Sequence, residues 1–534
     1  MAENARAVTR TRRLCSVVLP VFMALANGAT GTAASSTDRT LVGSGPGGEN
    51  EWFVYLGDKT PSQAPPKQIS AAEALPPLPL PATPLRRTER KKPPQPETLI
   101  GKVIWGESAS FADSNGDQMQ IADWNLCPTD VQRLLEKARE TGLSYHWTNV
   151  NLSDFQLDPK TLPALLFSGA RTLRLSDAHL GALRNYVLDG GAILCDSIAG
   201  SPYFYDSARK AFLRAFPECR WRAIPPDHPI YHMFLDVTRV SCPKQAEMKE
   251  PFLEGIYVGS RVGVLISKYG LGCGWNRDVD RLAQLPRAAY YDPKSAAEIG
   301  VNLAAYLVGY AEAGVVEARP EIYGTADRRA PTDEFVFAQL KHDGAWNVHP
   351  GAATNLLTKL RRHTTIRVNL KRVVVDPAQD DLAGYAFLYL TGLDDFSFPP
   401  RAVSALQQFL RSGGFLLVNN GLGLGTFDKA VRRELARILP DTGLQLLPGA
   451  HALYSSLFKI DEVRYASGLA QANSSLGNRP QLWGAFLGGD LRVLYSPYDL
   501  EAGWLPAHYP LMKGYESASA ERLGMNIIAY IMTH

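Results

Sequence analysis

The sequence predicts an α/β protein: two tandem, doubly wound, mainly parallel-sheet domains. Three observations predict it. First, the chain contains itself twice. WNLCP at 124–128 returns as WNVHP at 346–350, and LLFSG at 165–169 returns as LYLTG at 388–392. ALRNYVLDGGAILCD at 182–196 returns as ALQQFLRSGGFLLVN at 405–419, and most offsets fall between 222 and 224. Second, short Val/Ile/Leu/Phe runs alternate with amphipathic stretches inside each copy. Third, those runs are apolar on both faces, as strands between two helical layers must be.

The elements of the second copy can be taken in order. EFVFAQL (334–340) is an expected strand, and 352–363 has helical spacing. TIRVNL (365–370) and YAFLYLTG (385–392) are expected strands, the latter ending on glycine. Residues 400–411 form a helix with proline in its first turn, stopped by Gly413-Gly414. FLLVNN is a buried strand, 428–439 a helix, LRVLYS a strand and 518–532 the closing helix. The expected boundaries are 98–312 for the first repeat, 313–332 for an interdomain linker and 333–534 for the second repeat.

The N-terminal part reads differently. Residues 1–34 have the shape of an export signal: Arg12-Arg13, an apolar run (LCSVVLPVFMALA, 14–26), then small residues (ATGTAA, 29–34). That run is too short to span a bilayer, so no transmembrane helix is expected after cleavage. A periplasmic or secreted protein is the expectation. Residues 35–97 form a proline-rich linker containing one short apolar segment, Trp52-Phe53-Val54-Tyr55-Leu56, a stray strand or a docking peptide.

Charge excludes one class of partner. The chain is +3, and residues 1–34 hold four arginines (Arg6, Arg10, Arg12, Arg13) against Glu3 alone. Without them the net charge is zero, which gives no footprint for nucleic acid. Five cysteines follow the signal: Cys127, Cys195, Cys219, Cys242 and Cys273. Their number is odd and no C-x-x-C spacing exists, so a cysteine-rich zinc site is not expected and no metal is assigned. Pairing stays open.

In a doubly wound sheet, ligands sit beyond the carboxyl ends of the strands. That puts Gly169, Asp196, Ser197, Gly392, Asn419 and Asn420 on the candidate face. Asp196-Ser197 could coordinate a cation or orient a base; the plain alternative is capping of the loop. Cys195 ends a strand, but GGAILCDSIAG lacks the glycines of a nucleophile elbow, so a buried core thiol is expected. His228 and His451 recur at matching places, as base or ligand or as turn formers. Trp275 and Trp504 each follow a glycine, and could stack a sugar or fill the core. Gly421-Leu422-Gly423-Leu424-Gly425 is not the dinucleotide fingerprint and reads as a loop. Asp113-Ser114-Asn115-Gly116-Asp117 reads as a polar turn in an insertion of copy one. Asn302 and Asn526, inside apolar helices, read as structural. No cofactor can be named.

One family resembles this chain in its combination of motifs. Copy one carries Gly190-Gly191, Asp196-Ser197, Tyr205-Asp206, Arg209, Pro217 and His228–Tyr231; copy two carries Gly413-Gly414, Asn419-Asn420, Phe427-Asp428, Arg432, Pro440 and His451–Tyr454. These resemble the bacterial domain of unknown function 4159, over about residues 98–312 and 333–534. The resemblance implies kinship of fold with flavodoxin-like, class I glutamine amidotransferase-like domains and brings no assigned reaction. In that family the polar pair after the GG strand is typically Asp-Asp, and a later strand typically ends in Asn-Asp. Copy one keeps Asp196 but has Tyr269-Gly270 at the later place; copy two keeps Asp499 but has Asn419 at the earlier one. Neither copy holds both carboxylates. The expectation is therefore a non-catalytic binding or scaffolding protein of the cell envelope, its partner an envelope protein or a small molecule. The alternatives are a hydrolase or transferase using Asp196, Ser197 and His228, or a carbohydrate-binding protein.

Overall fold

The structure is a computed structural model that describes residues 48–57, 98–112, 118–153, 158–276, 282, 285–318, 323–324 and 334–534. The expected export signal, most of the proline-rich linker and the turn at 113–117 lie outside the described residues.

The first repeat runs β1 (Leu99–Ile104), β2 (Ser108–Ala112), β3 (Gln118–Ala122), α1 (Asp130–Glu140), β4 (His146–Asn151), β5 (Ala164–Gly169), α2 (Asp177–Leu188), β6 (Ala192–Ser197), α3 (Pro202–Ala215), β7 (Arg222–Ala223), β8 (Glu254–Val258), β9 (Arg261–Ser267), α4 (Gly272–Trp275), α5 (Pro293–Gly309) and α6 (Ala311–Glu317). The second runs β10 (Tyr323–Gly324), β11 (Ala338–Leu340), α7 (Ala352–His363), β12 (Arg372–Val375), β13 (Phe387–Gly392), α8 (Pro400–Arg411), β14 (Phe415–Asn420), α9 (Gly425–Ile438), β15 (Gln445–Leu446), α10 (Ser467–Ala472), β16 (Trp483–Leu487), β17 (Asp490–Ser496) and α11 (Ser517–Thr533).

The sheets have the orders β4-β1-β5-β6-β9-β8-β7 and β10-β12-β11-β13-β14-β17-β16-β15. Setting aside the two-residue β10, the five parallel strands of each sheet stand in the order 2-1-3-4-5, a doubly wound arrangement. At the other edge β8 and β16 turn back antiparallel on β9 and β17. Strands β5, β6, β13 and β14 are buried along their whole length. That explains their unbroken apolar runs.

Several expectations shift in detail. TIRVNL forms only an isolated bridge, Phe335 to Val368, and the strand is the next segment, RVVV of β12. Residues 313–317, expected within a linker, finish α6. The continuous helical stretch Pro293–Glu317 is long and apolar enough to cross a membrane, but 72% of its apolar window is buried in the protein. No transmembrane helix is evident among the described residues.

Asn302 and Asn526 do the same work in their helices. Asn302 Oδ1 accepts from the Phe234 and Leu235 amides, each at 2.9 Å. Asn526 accepts from the Phe458 amide at 2.8 Å and donates to the Leu453 and Phe458 carbonyls. Each polar side chain inside an apolar helix thus satisfies a loop that has no ladder partner. Replacing Asn526 with alanine is expected to cost about 1–3 kcal/mol, because buried backbone groups lose their partner. Chemical denaturation at constant m-value checks it.

Candidate functional site

The strand-end face of the first repeat is closed around Asp196, while a space of about 240 Å³ lies beside the ends of β1 and β5, between Trp105, Asp123 and Arg171. Asp196, at the end of β6, has no exposed surface. Its carboxyl oxygens accept the Leu271 amide at 2.7 Å and the Gly272 amide at 2.8 Å. It clamps the turn that enters α4. Burial raises its pKa to about 7. Ser197 is fully buried beside it. Gly169 is a packing residue, since a Cβ there would lie 2.1 Å from the Trp105 ring. Cys195 is fully buried, and burial pushes its thiol well up, the reverse of an activated nucleophile.

The segment 52–56 lies over this face, as a docking peptide. Its five side chains are buried in one cluster with Leu126, Cys127, Ala199 and Cys273. The Leu56 amide donates to the Leu126 carbonyl at 2.8 Å, and Asn276 Nδ2 donates to the Leu56 carbonyl. Glu49 anchors the preceding turn by accepting the Thr172 amide at 2.9 Å. The Arg171 guanidinium stacks 4.0 Å over Phe53.

The expected triplet Asp196, Ser197 and His228 is not assembled. Asp196 pairs in register with Ser267 at the end of β9. His228 packs instead against Tyr257 and Tyr306, and Tyr306 Oη accepts the Val262 amide at the start of β9. A strand of that length separates them, roughly 15 Å at ~3.3 Å per residue. His228 is a turn former: its Nδ1 accepts the Ile230 amide at 3.2 Å, and burial lowers its pKa to about 3. His451 repeats this with the Leu453 amide at 3.2 Å. The tryptophans are core residues. Trp275 and Trp504 are 5% and 1% exposed, and their indole N–H groups donate to the Ala296 and Ala520 carbonyls. Neither ring can stack a sugar where it stands.

In the second repeat the strand ends meet the first repeat. Asn419 stands where Asp196 stands, and its Oδ1 accepts the Leu500 amide at 2.8 Å. The same clamp is kept with an amide. Its Nδ2 donates to Asp499 at 2.9 Å. Asp499 also accepts the Leu422, Glu501 and Ala502 amides. Leu422 has φ +54°, matched by Ala199 at +55° in the first repeat, so the strained turn after β6 and β14 aims an amide inward in both copies. Asn420 braces the same turn through the Leu424 carbonyl.

His349 completes the arrangement. Its Nε2 lies 2.9 Å from Asp499, and its Nδ1 lies 3.0 Å from Glu317, the last residue of α6 in the first repeat. Ser260 and Tyr509 also donate to Glu317. Burial opposes charge on His349, but Asp499 and Glu317 outweigh it and raise its pKa to about 10. The imidazolium in turn holds Asp499 below its ordinary value against burial. Glu501 is fully buried next to them, and burial raises its pKa to about 7. Further bonds tie the repeats together. Arg222 pairs with Asp394 at 2.6 Å, and Asp227 caps the first turn of α9 through the Gly425 amide at 2.5 Å.

One cleft remains open along this seam. A space of about 620 Å³ lies between the β8–β9 turn and the strand ends of the second repeat, with Arg220, Tyr257, Lys341, Trp346 and Asn347 on its walls. An adjoining space of about 640 Å³ shares Arg220, Lys341 and His342 and reaches Phe398 and Pro399 ahead of α8. The cleft opens beside the ends of β11 and β13, where the strand order reverses. Arg220 and Lys341 are exposed there, and Trp346 is half-buried.

Sequence reasoning gave no weight to His349, Glu317, Glu501 or Lys341. A signal was present: the repeat alignment sets Cys127 against His349 and Gly270 against Asp499, and both changes fall in one copy. The family profile described as Domain of unknown function (DUF4159) matches residues 119–308 and again residues 336–532. The chain belongs to the DUF4159 family. No curated protein matches it. Both DUF4159 copies therefore hold a sheet of the same order, and the divergent polar positions lie at the strand ends of each.

His349→Ala is expected to cost about 3–5 kcal/mol, since it leaves two buried carboxylates without their counter-charge. Adding Asp499→Asn should recover part of that loss, read by urea unfolding. A pH series gives a second check. Asp196 and Glu501 have folded pKa values raised to about 7. Their stabilising share is therefore complete below about pH 4 and lost as the pH rises to about 7. Asp196→Asn and Glu501→Gln should each flatten the fall in unfolding midpoint over that window.

Proposed function

We propose that this protein is a non-catalytic binding or scaffolding protein, exported and acting in the bacterial cell envelope. One observation carries the reading. Much of each strand-end face, where a doubly wound sheet keeps its ligand, is covered by polypeptide of this same chain. Residues 52–56 cover the first and the first repeat covers the second. Of the polar groups that a hydrolase or transferase would use, Asp196 and the Nδ1 of His228 hold loop amides and Ser197 is fully buried. Asp196 and His228 stand at opposite ends of the sheet, which disfavours the enzymatic alternative, and burial of both tryptophans disfavours the carbohydrate one. The strand order 2-1-3-4-5 supports placing both repeats among flavodoxin-like sheets related to class I glutamine amidotransferase domains. That kinship brings fold without chemistry. The partner, an envelope protein or a small molecule, would meet the seam cleft, the open concavity beside Arg220, Lys341 and Trp346.

The test compares wild type with Lys341→Glu, Trp346→Ala and Asp196→Asn in thermal unfolding against a panel of metals, nucleotides, sugars and amino acids, and in pull-down from envelope extract. Lys341→Glu and Trp346→Ala are expected to lose capture of a partner or a ligand-induced shift while keeping their fold. Asp196→Asn should keep both. Turnover of any panel compound that disappears in a folded Asp196→Asn protein would sink the binding reading.

A further inference from the structure

The two repeats join the same pair of loops by different means. In the second, the residue after Trp346-Asn347-Val348 is His349, and it bonds to Asp499 in the loop after β17 at 2.9 Å. Asp499 in turn accepts the Ala502 amide, three residues on. The first repeat has Cys127 after Trp124-Asn125-Leu126, and Cys273 at the place of Ala502. Both thiols are free and neither has exposed surface. They share one apolar cluster, and the neighbouring Cys273 thiol together with burial pushes the Cys127 thiol well up. The Ala199 amide donates to Cys273 Sγ at 3.1 Å, where its counterpart Leu422 donates to Asp499.

We propose that Cys127 and Cys273 form a disulfide that replaces, in the first repeat, the ionic link made by His349 and Asp499 in the second. The bridge would pin the two walls that seat residues 52–56. Leu56 bonds to Leu126 beside Cys127 and to Asn276 just past α4, so it spans the two loops the bridge would join. The Thr129 hydroxyl already ties the same loops by donating to Asn276 Oδ1 at 2.8 Å. The chemistry is thiol–disulfide exchange. Each cysteine loses a proton, the pair gives two electrons, and an external disulfide is reduced to two thiols. The other cysteines stay reduced.

The test uses the full chain, refolded from denaturant in a buffer of reduced and oxidised glutathione so that the thiols are accessible as the bridge forms, then denatured in iodoacetamide and mapped by mass spectrometry without reduction. The expected result is one linked peptide pair carrying Cys127 and Cys273, with every other cysteine alkylated. Dithiothreitol should then lower the unfolding midpoint of the oxidised wild type by several degrees. It should leave Cys273→Ala, which copies Ala502, unchanged. Alkylation of both thiols, a glutathione adduct on either, or a bridge from Cys127 to another cysteine would each overturn the proposal. The map is read on wild type, so a variant that fails to fold leaves it decisive.

Discussion

A carboxylate–imidazolium–carboxylate chain with almost no exposed surface holds the two repeats in place. Glu317 comes from one repeat, His349 and Asp499 from the other. Charges cannot be left in an apolar interior alone, and even a paired set must recover its lost hydration through close geometry. Here the recovery is visible: Asp499 accepts from three backbone amides and an asparagine, and Glu317 from a serine and a tyrosine. The bonds of His349 and Tyr509 to Glu317 exist only with α6 docked against the second repeat. The ion chain therefore ties the packing of one repeat to the position of the other, and the protein is one body made from two copies.

Docking two copies head to tail breaks their equivalence. The strand ends of the second repeat rest on the opposite end of the first, a heterologous contact. Two surfaces that began alike then face different neighbours. The second acquires a buried interface and the residues for it, His349 and Asp499. The first is left with a bare apolar face, and residues 52–56 cover it. The incomplete acid pairs follow from this. Asp196 and Asn419 both hold the loop after the last parallel strand, so an amide serves as well as a carboxyl. The second carboxylate persists only where a histidine answers it.

The local part of this fold was legible in the sequence. Helices α7 and α8 and strand β14 follow from periodicity, a first-turn proline and the glycine pair that ends a helix, and the duplication doubles every such signal. Strand β12 was missed because TIRVNL has the stronger alternation, while its neighbour RVVV has the sheet partners. The site was much less legible. Asp196 and His228 look like one constellation in a motif list, but a motif carries no record of which end of a strand it occupies. His349 and Asp499 stand 150 residues apart, and Glu317 lies in what read as a linker. Their meeting is a property of docking, which no local pattern encodes.

The same docking decides where a ligand can go. A doubly wound sheet normally offers its strand-end crevice, and here the chain itself covers much of each strand-end face. The larger opening lies at the strand-order reversal of the second sheet, where the two repeats meet, beside Lys341 and Trp346. A cleft of that origin has walls from both repeats, so a ligand there touches both at once. The buried ion chain fixes the two walls before anything binds, and a preformed cleft spares a ligand the ordering cost of bringing them together. Lys341 lies on the second repeat and Arg220 on the first, each exposed, so recognition would need the repeats in register. The constraint that holds the fold is then the constraint that shapes the open cleft at the seam.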